Sequence, residues 1–158
     1  MAAPNTLPLH SKVASISWGS TDVDGPLTAG PLKTANTAKD GTGTLLTIFT
    51  ADSTNGGRVE RIRVRAAGTN TASVLRVFIN NGSTNATIAN NILYAEMTLA
   101  ATTLSEVAAL ALAELPNNLT VPDQTGFPLV LPPGYRLMVA IGTTVAAGVW
   151  VSAIGGVY

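Results

Sequence analysis

Apolar and polar residues alternate with a period of two along much of this chain, and residues 127–141, FPLVLPPGYRLMVAI, show it most plainly. Two apolar runs, 127–131 and 135–141, flank Pro132-Pro133-Gly134, which leaves room only for a tight reversal, so the stretch predicts a β-hairpin. In the second run Tyr135, Leu137, Val139 and Ile141 share one face, and Arg136, Met138 and Ala140 share the other. A helix would not keep the first four together.

The same reading predicts further strands. Residues 13–18 alternate, with Ala14, Ile16 and Trp18 on the core face. Residues 44–50 are apolar on both faces, Leu46 and Ile48 being opposed by Leu45 and Phe49, as in a strand covered on both sides. Beyond the turn signal at 52–57, residues 58–66 set Ile62, Val64 and Ala66 inward and Arg61, Arg63 and Arg65 outward. Gly68-Thr69-Asn70 then turns the chain into 74–79, where Leu75, Val77 and Ile79 form the inner set. If these two strands pair about a loop centred on Thr69 and Asn70, Arg63 faces Arg76 and Arg61 faces Phe78, one repulsive pair and one cation–π pair. Residues 92–99 place Leu93, Ala95, Met97 and Leu99 inward and Tyr94 and Glu96 outward. In 147–154, Val149, Val151 and Ala153 oppose Trp150, Ser152 and Ile154.

Two stretches are less regular. Residues 19–43 are rich in Gly, Pro, Thr and Asp and predict a loop carrying a short edge strand at 31–38. Residues 100–115 read two ways. Thr103-Leu-Ser-Glu106 has the form of a capping box, and Leu104, Val107, Ala108, Ala111 and Leu115 make a stripe stopped by Pro116, which predicts one short helix near 103–115. Leu110 and Leu112 also alternate, as in an irregular strand or a long crossing connection. About eight strands of ordinary length predict an all-β, two-sheet β-sandwich. Long crossings after the first and sixth strands, with no Cys-Trp-Cys spacing, favour the jelly-roll type over the immunoglobulin type. Residues 1–12 contain Pro4 and Pro8 and no periodicity, and read as an extended N-terminal arm before a single domain over 13–158.

Composition narrows the chemistry. The 158 residues are 46% hydrophobic and 11% charged, yet no apolar run approaches the ~18 residues of a bilayer span, so a soluble chain is expected. With no cysteine there are no disulfides, thiolate metal sites or cysteine nucleophiles. The single histidine, His10, lies in the arm, so a Ser-His-Asp site would rest on a terminus and zinc would lack its usual ligands. Eight aromatic residues spread over the whole chain are too few to line a sugar cleft. Asp22 and Asp24 before Gly25 form only part of a calcium loop, and Gly41-Thr42-Gly43 lacks the lysine and helix of a phosphate loop. The expectation is a protein that is not an enzyme and holds no cofactor or metal.

A net charge of zero conceals segregation: residues 56–76 carry +4 and residues 77–135 carry −4. Arg58, Arg61, Arg63, Arg65 and Arg76 supply five of the nine cations in the first segment. Overall neutrality argues against nucleic acid as the partner. What is left is either a solvated face balanced by Glu60, Glu96 or Glu114, or a contact surface for an acidic partner or another copy of the chain. Taken with the doubly apolar strand, the second reading makes Leu45, Phe49, Arg61, Arg63, Arg65, Arg76 and Phe78 the expected interface set.

A resemblance bears on the choice. The arginine strand ending in Gly68, the strand leading to Asn81-Gly82, then LYAEMTLAATTLS at 93–105, LVLPPGYRL at 129–137 and GGVY at 155–158 resemble small jelly-roll virion proteins of tailed bacteriophages, over residues 44–158. The resemblance implies a capsid decoration, or cement, protein. Such a protein would be a homotrimer on the outer surface of the major capsid protein, made in the host bacterial cytoplasm, with no nucleic acid, membrane or small-molecule partner. Its arm, through Pro4, Leu7, Pro8 and Leu9, would grip the shell. Jelly rolls also serve as receptor- or carbohydrate-binding modules of phage tails and baseplates, which would place recognition in loops near Trp18, Asp22 and Asp24.

Overall fold

Short apolar runs punctuated by Gly, Pro and Asn favour strands, and nine of them form in the computed structural model, which describes residues 15–18, 30–115 and 128–158. They are β1 (Ser15–Trp18), β2 (Leu46–Thr50), β3 (Gly57–Ala66), β4 (Ser73–Asn80), β5 (Asn91–Leu99), β6 (Leu112–Leu115), β7 (Leu129–Leu131), β8 (Arg136–Ile141) and β9 (Val149–Val157). The one helical element among the described residues is a 3-10 turn at Ile88–Asn90. The predicted arm and the loop carrying Asp22 and Asp24 lie outside the described residues.

Two antiparallel sheets face each other. One runs β1-β9-β3-β6, with β7 pairing β3 beyond the end of β6, and the other runs β2-β8-β4-β5. With β7 set aside, the chain passes back and forth between the sheets in the order that defines a jelly roll, and the all-β sandwich expected from the alternation is the fold. Among consecutive strands only β4 and β5 are hydrogen-bonded neighbours. The proposed hairpin at 127–141 is therefore corrected. Its strands form, and Tyr135 N donates to Pro132 O at 3.2 Å around Gly134, whose φ of 73° suits a residue without a side chain. But β7 pairs with β3 while β8 pairs with β2 and β4, so the reversal carries the chain from one sheet to the other. The pairing of β3 with β4 across Gly68-Thr69-Asn70 fails for the same reason: they belong to opposite sheets.

The core fills the space between the sheets. Val59, Ile62, Val64, Val151 and Ala153 enter from one side, and Leu75, Val77, Leu137, Val139 and Ile141 from the other. Burying each Val, Leu or Ile among them contributes about 1.5–3 kcal/mol. Three β-bulges alter the simple alternation. Between Thr47 and Phe49 the extra residue Ile48 lets Ile48 and Phe49 both become fully buried, so Phe49 lies inside the protomer and not on an outer face. Between Val59 and Arg61 the extra residue is Glu60. On β5 it is Tyr94, since Val77 pairs with Ala95 and Phe78 with Leu93. Tyr94 consequently packs against the core and Leu93 is exposed, the reverse of the predicted assignment. Burial accordingly pushes the Tyr94 phenol pKa up.

The outer face of the β2-β8-β4-β5 sheet is covered over β4 and β8. Met138, Ala140 and Phe78 are buried there, and the backbone of Gly41 packs on the Phe78 ring. Here the predicted edge strand at 31–38 gives way to two isolated bridges, Leu32 to Val149 and Ala35 to Ile141. Asn36 curls the chain instead, donating from Nδ2 to Thr42 O and Thr44 O at 2.8 and 3.0 Å and accepting from Ala38 N at 2.9 Å. Asp40 Oδ1 closes the next turn, accepting from Thr42 Oγ1 at 2.7 Å and Thr42 N at 2.9 Å. The Thr42 hydroxyl, and then its amide, hold the Asp40 pKa below the ordinary value. A depressed carboxylate pKa means these bonds contribute above the ordinary titration range and are lost as pH falls through the lowered value. An NMR titration of Asp40 is expected to show that low midpoint, and Thr42→Ala to move it part of the way back. An unmoved midpoint would remove the hydroxyl as the cause.

The predicted helix near 103–115 is absent. Ser105 Oγ accepts from Val107 N and Ala108 N at 3.2 Å each, so the capping-box residues make a turn and stop. Leu112–Leu115 instead extends as β6 along β3, Glu114 facing Arg63. Of the two readings of this segment, the irregular strand is the one realised.

Candidate interaction surface

The outer face of the β1-β9-β3-β6 sheet is built by register. Arg58, Arg61, Arg63 and Arg65 alternate with the buried Val59, Ile62 and Val64 of β3, the Glu60 bulge accounting for the uneven first interval. Cross-strand neighbours then fall in rows: Trp150, Arg65 and Leu112; Ser152, Arg63 and Glu114; Ile154 and Arg61; Gly156, Arg58 and Val130. Trp150 is 39% exposed, Leu112 47% and Val130 60%. Large apolar side chains and guanidinium groups thus share one open surface.

The charges on it are not equivalent. Arg63 Nε donates to Glu114 Oε1 at 2.7 Å. As an exposed pair this is worth about 0–1 kcal/mol, but it neutralises the middle of the row. Arg58 Nε lies 2.9 Å from Glu60 Oε1 without making a hydrogen bond to it, a charge contact only. Arg61 and Arg65 are exposed and form no ion pair with a described residue. They stand four residues apart on one strand, about 13 Å. Among the described residues, two guanidinium groups without an ion-pair partner flank a neutralised one, with Trp150 and Leu112 beside Arg65.

Of the residues expected at an interface, Arg61, Arg63 and Arg65 are brought together and the others are not. Arg76 lies on the opposite sheet, where Nε donates to Glu96 Oε1 at 2.9 Å and the side chain is only 11% exposed. The predicted repulsion between Arg63 and Arg76 does not arise, because each arginine faces a glutamate in its own sheet. Phe78 likewise faces away from Arg61, buried under Gly41, so their cation–π pair is absent. Phe49 is in the core and Leu45 is half-buried beside β2. Pro4, Leu7, Pro8 and Leu9 fall outside the described residues. Trp150, Leu112 and Val130 complete the surface, and sequence reasoning did not assign them to it. The shared face of Trp150, Ser152 and Ile154 was the available signal.

The space between the sheets offers less chemistry. A cavity of about 190 Å³ opens between the sheets, lined by residues including Val64, Asn70, Ser73, Leu99 and Val149. Its buried polar side chains are committed: Asn70 donates to Gly148 O and accepts from Ala147 N and Gly148 N, while Ser73 Oγ bonds both backbone groups of Thr143. Among the described residues no three His, Cys, Asp or Glu side chains gather into a metal-binding group. No described helix is long and apolar enough to cross a membrane. Compared with family models, curated proteins and solved structures, the chain matches none.

Proposed function

We propose that this protein is a non-enzymatic structural component of a tailed-phage virion that decorates the capsid, binding the outer surface of the major capsid protein as a homotrimer. The observation that carries the reading is the outer face of the β1-β9-β3-β6 sheet. It leaves Trp150, Leu112 and Val130 open to water around two arginines, Arg61 and Arg65, with no described partner. Aromatic residues and arginine are the residue types enriched where proteins meet, and a face of this kind is stabilised by being covered. The virion itself enters through the resemblance of residues 44–158 to jelly-roll phage proteins.

In this mechanism the sandwich is a rigid body and recognition lies on its surface. Few charges and no net charge leave little repulsion between copies. Each contact need only be weak, since copies joined together bind a repeating shell with avidity. Quantitative mass spectrometry of the source virion, after DNA-filled heads are separated from tails, tests the reading. The chain is expected in heads, in a simple ratio to the major capsid protein. A few copies found only with tails would overturn it and favour the receptor-binding alternative.

A further inference from the structure

From the geometry we infer that the row formed by Trp150, Arg65 and Leu112 docks on the 104–107 loop of a second copy of this chain, with Glu106 of that copy meeting Arg65. The loop lies on the connection between β5 and β6 and is held in a defined shape. Leu104 N donates to Thr69 Oγ1 at 2.9 Å, Thr102 and Asn70 exchange backbone hydrogen bonds, and Ser105 Oγ holds the amides of Val107 and Ala108. Despite this anchoring it presents apolar side chains outward: Val107 is 97% exposed and Leu104 56%. Glu106 between them is exposed and makes no ion pair with a described residue.

The two patches are complementary. One offers a guanidinium with no described partner between an exposed tryptophan and an exposed leucine; the other offers a carboxylate with no described partner between an exposed leucine and an exposed valine. An arginine fork donates paired hydrogen bonds to a carboxylate, and flanking apolar contact shields such a pair from water. The preformed loop pays little ordering cost on docking. Because the two patches differ, a pair of copies joins either reciprocally, about a two-fold axis, or head-to-tail, which closes into a ring where the rotation between copies allows it. This rests on the reading of the sheet face as a contact surface, and not on the virion as its location.

The test uses the whole chain in solution. Light scattering on wild type and on Arg65→Glu, Glu106→Arg and the double variant compares their self-association, with circular dichroism checking the fold. Wild type is expected to be oligomeric at tens of micromolar. Each single reversal, by setting like charges together, is expected to weaken association about tenfold or more, and the double variant to recover it. Because the chain has no cysteine, a second test is available: an equal mixture of Arg65→Cys and Glu106→Cys proteins is expected to give cross-linked dimers with a short bis-maleimide, and neither alone to do so. A monomeric wild type, indifferent single variants, or a double variant that stays dissociated would overturn the contact. Any of these results leaves the head-or-tail location to the mass spectrometry, so the two ideas fail separately.

Discussion

Phe49→Ala is expected to lower the unfolding free energy by about 3–5 kcal/mol, read as a fall in the urea midpoint at unchanged slope. Leu45→Ala, four residues earlier, is expected to cost about 1 kcal/mol. On alternation alone the two side chains share a face and would lose similar amounts. The bulge at Ile48 separates them: Phe49 is fully buried among core residues, and its ring lies over the backbone of Gly57, where a Cβ would come within 2.9 Å of two ring carbons. Truncation leaves a ring-sized void that a two-sheet core closes poorly. Domains have about 5–15 kcal/mol in total, so the loss is a large fraction of the whole. Equal, small losses at both positions would refute the bulge.

Gly155→Ala is the other change with a large expected effect, a loss of about 3 kcal/mol or failure to accumulate as folded protein. Gly155 pairs with Val59 in the middle of the sheet, next to the bulge at Glu60, and the β3 main chain lies close against it. A Cβ at Gly155 would overlap the Arg58 carbonyl oxygen and come 2.8 Å from Val59 Cα. Both obstacles are main chain, which cannot rotate away. Ser152→Ala, on the outer side of the same strand, is the control and is expected to change stability by less than about 0.5 kcal/mol. Thermal or urea unfolding of the three proteins decides it; a Gly155→Ala protein as stable as wild type would show that β3 and β9 sit further apart than described.

How much could be read from the residues follows from what alternation measures. It reports which way a side chain faces, and it does so correctly for Leu137, Val139 and Ile141, for Val149, Val151 and Ala153, and for Arg61, Arg63 and Arg65 against Ile62 and Val64. It fails past a bulge, as at Phe49 and at Tyr94 with Leu93, because one extra residue inverts the order beyond it. Nor does it report the neighbour. Pro132-Pro133-Gly134 and Gly68-Thr69-Asn70 look like hairpin turns, yet in this topology a tight turn more often changes sheets. The helix near 103–115 failed through competition, since an isolated helix that short is marginal in water while β6 gains a ladder along β3. Half of the candidate surface was legible for the same reason. The arginines stand on one strand, whereas Trp150, Leu112 and Val130 join them only through the cross-strand register.

That register has a further consequence, for the order of events in synthesis. β9 lies between β1 and β3, and supplies Val149, Val151 and Ala153 to the core. It is also the last of the described strands to leave the ribosome. Until it does, β1 has no described partner, and Val59, Ile62 and Val64 lack the neighbouring strand that covers one side of β3. Nascent chains therefore carry a gap at the centre of a sheet, open to any passing strand, until residues 149–157 emerge. Closing it requires contacts between residues far apart in sequence, which places folding in the slow, millisecond-to-second range of all-β proteins. Yield during production should depend less on the stability of the finished sandwich than on how well the unfinished one is kept from its neighbours.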